Sequence, residues 1–366
     1  MQLNKVDTPS LILDKSILIN NIKEMGQLSK KTGVKLKPHI KAHKCTQIAK
    51  LQQQYGAKGV TVAKLSEAEV MFAAGIKDIL IAYQLVGTEK LQKLLQLIKK
   101  GANITCLLDG EEQAVLLNDL AIANSIQIKI YVEVDSGLNR TGLEPDKVVH
   151  FIKTLSKFPG LIFTGIMTHA GQVYGAGKDQ VPLIGENEGL IMEKVAIELE
   201  SIGMKNFEVS VGSTPTVKFS AYNRKVTEIR PGNYIFNDAI QLGLGVANKN
   251  QCSLKVLATV ISKPTLNRLV IDAGSKTLAL DKGAHGTELV QGFGIFIDYP
   301  NLCLERLSEE HGIITVGEGK VPQIGEKILI IPNHACPVVN LADELLIMEN
   351  GYITESWAID ARGKNK

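Results

Sequence analysis

The sequence predicts an α/β protein: a TIM-type (β/α)8 barrel over residues 1–244, followed by an all-β C-terminal domain over residues 245–366. The first ten or so residues are free to join the second domain. Three observations carry this expectation. Short apolar runs alternate with amphipathic segments from about residue 14 to about residue 240; the apolar runs number eight; and helical periodicity fades after about residue 245 in favour of short strands. A doubly wound sheet is the rival for the first part. The count of eight, and the absence of GxGxxG after the first strand, argue against it.

Taken in order, segment 14–30 puts Leu18, Ile22 and Met25 on one helical face, with Gly33 as a stop. VKLKPHI (34–40) is strand-like, 44–55 helical, and GVTVAK (59–64) the second strand. Ser66 and Glu69 suggest a capping box opening a helix that stops at Gly75. DILIAY (78–83) is the third strand, and TEKLQKLLQLIKKG (88–101) is a helix with a Thr cap and a Gly stop. NITCLLD (103–109), IKIYVEVD (128–135), IFTGIMTHA (162–170), FEVSVGS (207–213) and TEIRPGNYIF (227–236) complete the eight, with helices at 111–122, 145–157 and 185–202. In the second part, Asn350-Gly351 between two alternating runs is a two-residue hairpin signal. No long linker separates the parts, so close packing is expected.

Bulk properties narrow the function. A net charge of +3 without a dense Lys/Arg block points away from nucleic-acid and membrane partners. Five widely spaced cysteines without a CxxC pair favour reduced thiols in the cytoplasm over a disulfide scaffold. The N-terminus lacks an apolar signal core, and no stretch approaches a membrane span.

In such a barrel the active site lies at the C-terminal ends of the strands. Those ends carry Pro38, His39 and Lys41; Lys64; Asp135 through Arg140; Thr168 through Tyr174; Gly212 through Thr216; and Arg230 through Tyr234. Gly212-Ser213-Thr214 and Gly232-Asn233, after the seventh and eighth strands, offer backbone N–H groups and hydroxyls suited to a phosphate. Lys41 directly follows the first strand. A desolvated lysine near other cations holds its proton weakly, as an imine-forming amine requires, and His39, His43 and Lys44 could supply that setting. A solvated basic loop is the plainer explanation of the same residues. His334-Ala-Cys336, if extended, presents His and Cys on one face as a two-point zinc clamp, although a buried Cys beside a hydrogen-bonded His is the commoner origin of such a pair. His150, His285 and His311 are assigned no role.

VDTPSLILD, KPHIKAHK, AKLSEAEV, SGLNRTG, THAGQVYG, GSTPT, RPGNYIF and IPNHACPVVNL together cover nearly the whole chain. On these motifs it resembles the metal-activated, pyridoxal-phosphate (PLP)-dependent D-amino-acid lyases of the alanine-racemase-like fold (PLP fold type III), which include D-serine dehydratases and D-threonine aldolases. The resemblance implies Lys41 as the Schiff-base lysine, and Arg140, His169 and Tyr174 lining cofactor and substrate. It implies Ser213, Thr214, Gly232 and Asn233 as the phosphate cradle, His334 and Cys336 as ligands of a divalent metal, zinc first, and a homodimer. The substrate class it implies is a small D-3-hydroxy amino acid. His-x-Cys rather than His-x-Asp at the metal pair, together with THAGQVY, leans towards β-elimination to a 2-oxo acid and ammonia. The alternatives are retro-aldol cleavage to glycine and an aldehyde, racemisation, and a non-catalytic PLP carrier.

Overall fold

The computed structural model describes residues 1–284 and 288–366; His285 lies outside the described residues. The chain opens with strand β1 (Ser10–Asp14) and helix α1 (Lys15–Thr32). The Asp14 side chain caps α1 by accepting from Ile17 N at 3.2 Å. Leu18, Ile22 and Met25 form its buried face, and Gly33 ends it at φ 75°, where a side chain would be strained.

Eight parallel strands follow: β2 (Lys35–Leu36), β3 (Val60–Val62), β4 (Asp78–Gln84), β5 (Asn103–Leu108), β6 (Ile128–Glu133), β7 (Leu161–Met167), β8 (Glu208–Val211) and β9 (Glu228–Ile229). They form one sheet in the order β2-β9-β8-β7-β6-β5-β4-β3. The sheet curls until its ends meet: His39 bridges Thr61 in parallel, and Thr61 N donates to Pro38 O at 2.8 Å. Helices α2 (Thr46–Gln54), α3 (Leu65–Ala73), α4 (Thr88–Lys99), α5 (Glu111–Ala123), α6 (Val148–Thr154) and α7 (Val181–Ser201) alternate with the strands. Short helices α8 (Val217–Ser220) and α9 (Ala239–Gly243) follow β8 and β9. Strands such as β5 and β6 are buried on both faces, which is why they read as continuous apolar runs rather than alternating ones.

Several local expectations are corrected. The eighth strand spans only two residues, because Pro231 has no N–H for a ladder and the chain turns into a 3-10 segment at Asn233–Ile235. The helix expected at 145–157 is α6 flanked by two 3-10 turns. Helix α3 begins one residue earlier than Ser66. Its turn is closed by Glu67, not Glu69: Glu67 Oε2 accepts from Ala63 N at 2.7 Å and Lys64 N at 3.2 Å. Helix α4 is entered through Gly87, and Thr88 is its first residue rather than its cap.

The remaining strands are β10 (Leu254–Thr265), β11 (Arg268–Ile271), β12 (Gly294–Phe296), β13 (Leu302–Leu307), β14 (Gly312–Val316), β15 (Lys327–Pro332), β16 (Glu344–Glu349) and β17 (Tyr352–Ala358), with helices α10 (Ser275–Leu278) and α11 (Ala335–Leu341). The hairpin joining β16 and β17 turns at Asn350 (φ 50°) and Gly351 (φ 81°), both left-handed as an Asn-Gly turn requires. Strand β1 lies inside this second sheet, antiparallel to β10 and parallel to β16. The two halves are therefore stitched together. The C-terminal tail returns to the barrel as well: Ala361 N donates to Lys44 O at 2.9 Å, and Thr46 N donates to Asp360 Oδ2 at 2.7 Å.

Candidate active site

A cavity of about 660 Å³ opens where the C-terminal ends of the barrel strands meet the second sheet. Lys41, Arg140, His169, Tyr174, Ser213, Thr214, Gly232, Asn233, His334 and Cys336 all line it. Residues scattered over almost three hundred positions thus converge because parallel strands deliver their C-terminal loops to one rim, and α11 closes it from the other side.

Lys41 stands in a 3-10 turn (Ile40–Ala42) whose entry is fixed by His39: its Nδ1 accepts from Lys41 N at 3.3 Å. The Lys41 side chain is exposed within the cavity, yet the protein atoms crowded round it desolvate its amine. That desolvation lowers its proton affinity. Arg140 and Arg230 lower it further, against Cys336 and Glu67, which raise it. The cationic neighbours are therefore arginines, not His43 and Lys44. The His43 ring is buried, its Nδ1 accepting from Cys45 N at 3.1 Å, and burial holds its pKa down to about 3. Lys44 is committed elsewhere: its Nζ donates to Asn340 Oδ1 at 2.8 Å and Asn365 Oδ1 at 2.7 Å, and lies 3.4 Å from Glu67 Oε1.

Arg230 falls at the end of the eighth strand expected from the sequence, which assigns it no role. It is 4% exposed, donating to Ser210 Oγ at 2.5 Å and to Thr168 O. Ser210 Oγ in turn reaches Glu228 Oε1 at 2.6 Å, and Glu228 sits 3.2 Å from Lys37 Nζ. A chain of buried charge thus fixes one guanidinium at the cavity floor. Arg140 lies at the mouth, 4.0 Å from the buried Glu133 carboxylate.

The expected phosphate cradle fits an anionic group. Gly212 adopts φ 102°, and Ser213, Thr214 and Asn233 are buried. Thr214 Oγ1 has no hydrogen-bond partner among the described residues, and its hydroxyl can donate to a bound anion; Asn233 Oδ1 also lacks a partner but can only accept. A side chain at position 232 would be crowded, because a Cβ there would stand 3.0 Å from His39 O.

His334 and Cys336 are not on an extended strand. β15 ends at Pro332, His334 caps α11, and Cys336 lies in its first turn. The helix nevertheless sets both side chains on one cavity wall, where Cys336 raises the proton affinity of His334. His334 Nδ1 lies 3.2 Å from Asp281 Oδ1, leaving Nε2 as the ring's other ligating atom. A carboxylate behind a histidine is the usual support of a metal-bound imidazole. Burial works against the charged His334 ring, but Cys336, Asp281 and Asp238 outweigh it and raise its proton affinity. Asp281 was invisible in the sequence, being 53 residues from its partner. Among the described residues, no group of three or more His, Cys, Asp or Glu is placed to hold a metal ion; the pair itself offers one N and one S. Tyr174, held protonated by burial and by Cys336 and Asp238, lies alongside.

This fold and site define a pyridoxal-phosphate enzyme of the alanine-racemase type. Residues 13–239 match the family model "Alanine racemase, N-terminal domain", and residues 253–348 match "Putative serine dehydratase domain". The chain is 33% identical to a D-threonine aldolase of Arthrobacter sp. (99% of this chain, 94% of that one) and 30% identical to a D-serine dehydratase of Dictyostelium discoideum (95% of each). A solved D-threo-3-hydroxyaspartate dehydratase, a cysteine-to-alanine variant in the metal-free form, superposes with a TM-score of 0.91 at 29% identity over 98% of each chain. The chain belongs to the alanine racemase N-terminal-domain family, and within it to the PLP-dependent lyases.

Proposed function

We propose that the protein eliminates water from a D-3-hydroxy amino acid, D-serine first, giving a 2-oxo acid and ammonia. The observation that carries this is the pairing of His334 with Cys336 on the cavity wall facing Lys41. Variants at a histidine and at a cysteine two positions later exist for the related dehydratase, and the cysteine variant is described as metal-free. The same spacing here supports a metal role for the pair, and mixed N and S donors favour zinc.

Lys41 would hold the cofactor aldehyde. Ser213, Thr214, Gly232 and Asn233 would hold its phosphate, and Arg230 would provide a fixed buried cation beneath it. When bound, PLP supplies a sink for the electrons of the breaking bond, and the metal supplies Lewis acidity towards a hydroxyl. Lys41 Nζ, with its lowered proton affinity, serves as the base that removes the α-proton once the substrate amine has displaced it. Arg140 at the mouth suits the substrate carboxylate. Tyr174 keeps its phenolic proton and can donate it towards a departing oxygen. The reading includes a homodimer in the cytoplasm. Five free cysteines support the reducing compartment, and sedimentation tests the dimer.

Purified protein supplied with PLP and zinc is offered D-serine and D-threonine. Keto acid plus ammonia is the expected outcome, abolished by chelation and restored by zinc. Glycine plus an aldehyde would overturn elimination in favour of aldol cleavage.

A further inference from the structure

His334 is gripped on both sides of its own peptide. Ile240 N donates to the carbonyl of Asn333 at 3.2 Å, and Ala335 N donates to Asp238 Oδ2 at 2.9 Å. Both grips come from the entry to α9, a segment of the barrel half. The same Asp238 oxygen also accepts from Asn233 Nδ2 at 2.6 Å, while Oδ1 accepts from Gln241 N at 3.1 Å and so caps α9. Asp238 is fully buried. Three N–H donors on its two oxygens offset part of the cost of burying a carboxylate there.

Asn233 belongs to the cradle and Ala335 is the residue between His334 and Cys336. One oxygen atom is therefore shared between the cofactor side of the cavity and the metal side. Asn233 turns its amide nitrogen to Asp238, which leaves Oδ1 without a partner among the described residues. A group seated against Asn233 therefore rests on a side chain held by the same oxygen that holds Ala335.

We infer that Asp238 is a positioning residue that couples the cofactor cradle to the metal-ligand turn, so that occupation of the cradle tightens metal binding at His334 and Cys336. The inference rests on the proposed cofactor and metal sites. By linkage the coupling is reciprocal: the metal tightens the hold on the cofactor by the same factor. Supports behind metal ligands typically alter affinity 10–100-fold, and that range sets the size of the effect.

The test uses the full-length protein, stripped of metal by chelation and titrated with cobalt(II). The thiolate-to-metal absorbance is followed with PLP loaded and with PLP removed. In the wild type, PLP is expected to tighten cobalt binding about tenfold. Asp238→Asn should weaken binding in the loaded protein and erase the difference between the two forms, with the absorbance of the Lys41-bound cofactor unchanged. Equal cobalt affinities with and without PLP in the wild type, or an undiminished difference in D238N, would overturn the coupling. Asn233→Ala supplies a second reading if D238N fails to fold, because the Ala335 contact survives: cobalt affinity should stay near wild type without PLP and no longer respond to it. A retained response would count against the shared-oxygen link. Wild-type protein that takes up PLP but binds no cobalt would overturn the metal site itself, and the coupling with it.

Discussion

The surroundings of Lys41, rather than its motif, set the proton affinity of its amine. Desolvation and the two arginines favour the neutral amine, so the amine is available at lower pH than an ordinary lysine would allow. Arg140→Gln removes one of the charges that depress it, so its proton affinity rises. The acid limb of PLP uptake by the stripped protein should then move to higher pH; an unmoved limb would remove Arg140 from the electrostatics of Lys41. Lys41→Ala should abolish both the visible absorbance of the bound cofactor and turnover. His43 behaves in the opposite sense from a catalytic base. Its native pKa of about 3, against 6.5 for the free side chain, means the unfolded chain binds a proton that the native state refuses. Stability should fall by a few kcal/mol as pH drops from above 6.5 to about 3. A His43→Gln variant should show a shallower decline over that window in urea titrations, and parallel slopes would refute the assignment.

At the level of elements, the turns matter more than the strands that lead into them. Glu67 satisfies two N–H groups where β3 passes into α3 and offers its other oxygen to Lys44, which pins Asn340 on α11. Removing the carboxylate leaves two part-buried N–H donors without their acceptor and takes the counter-charge from the buried Lys44 ammonium, which keeps Asn340 and Asn365. Glu67→Ala is therefore expected to cost about 3 kcal/mol in denaturant unfolding. A loss below about 1 kcal/mol would mean that water replaces the carboxylate. Asn340 is four residues beyond Cys336, hence on the same face of α11. One helix face thus meets Lys44 at one end while Cys336 faces the cavity at the other.

On the scale of the whole molecule, β1 makes the two halves interdependent. It fills the space between β10 and β16, with four residue pairs to the first and three to the second. Without it, two inner strands become unpaired edges. A fragment beginning at residue 251 should therefore lack cooperative thermal unfolding. The same fragment with residues 1–14 supplied as a peptide should regain it, and cooperative melting of the bare fragment would refute the dependence. Among the described residues, no helix is long and apolar enough to cross a membrane.

Strand count, the Asn350-Gly351 hairpin and the Gly33 stop were legible in the sequence because each depends on neighbours within a few residues: side-chain period, left-handed backbone, a missing Cβ. That Lys41, the expected phosphate-cradle residues and the His334–Cys336 pair would gather round one cavity was legible because the barrel sends strand ends to one rim, and because their motifs resemble a known family. Arg230, Asp238 and Asp281 were not. Arg230 reads as strand, Asp238 and Asp281 carry no local signal that sets them apart from other acids, and each acquires its role through partners 20 to 97 residues away. The short eighth strand and the helical setting of Cys336 were likewise decided in three dimensions, where Pro231 ends one ladder and α11 docks against the barrel rim. Sequence alone determined which chemical groups the chain possesses and the order in which its elements form. Tertiary structure decided which buried groups share a hydrogen bond, because desolvation makes every unpartnered charge costly and only packing brings distant partners within 3 Å.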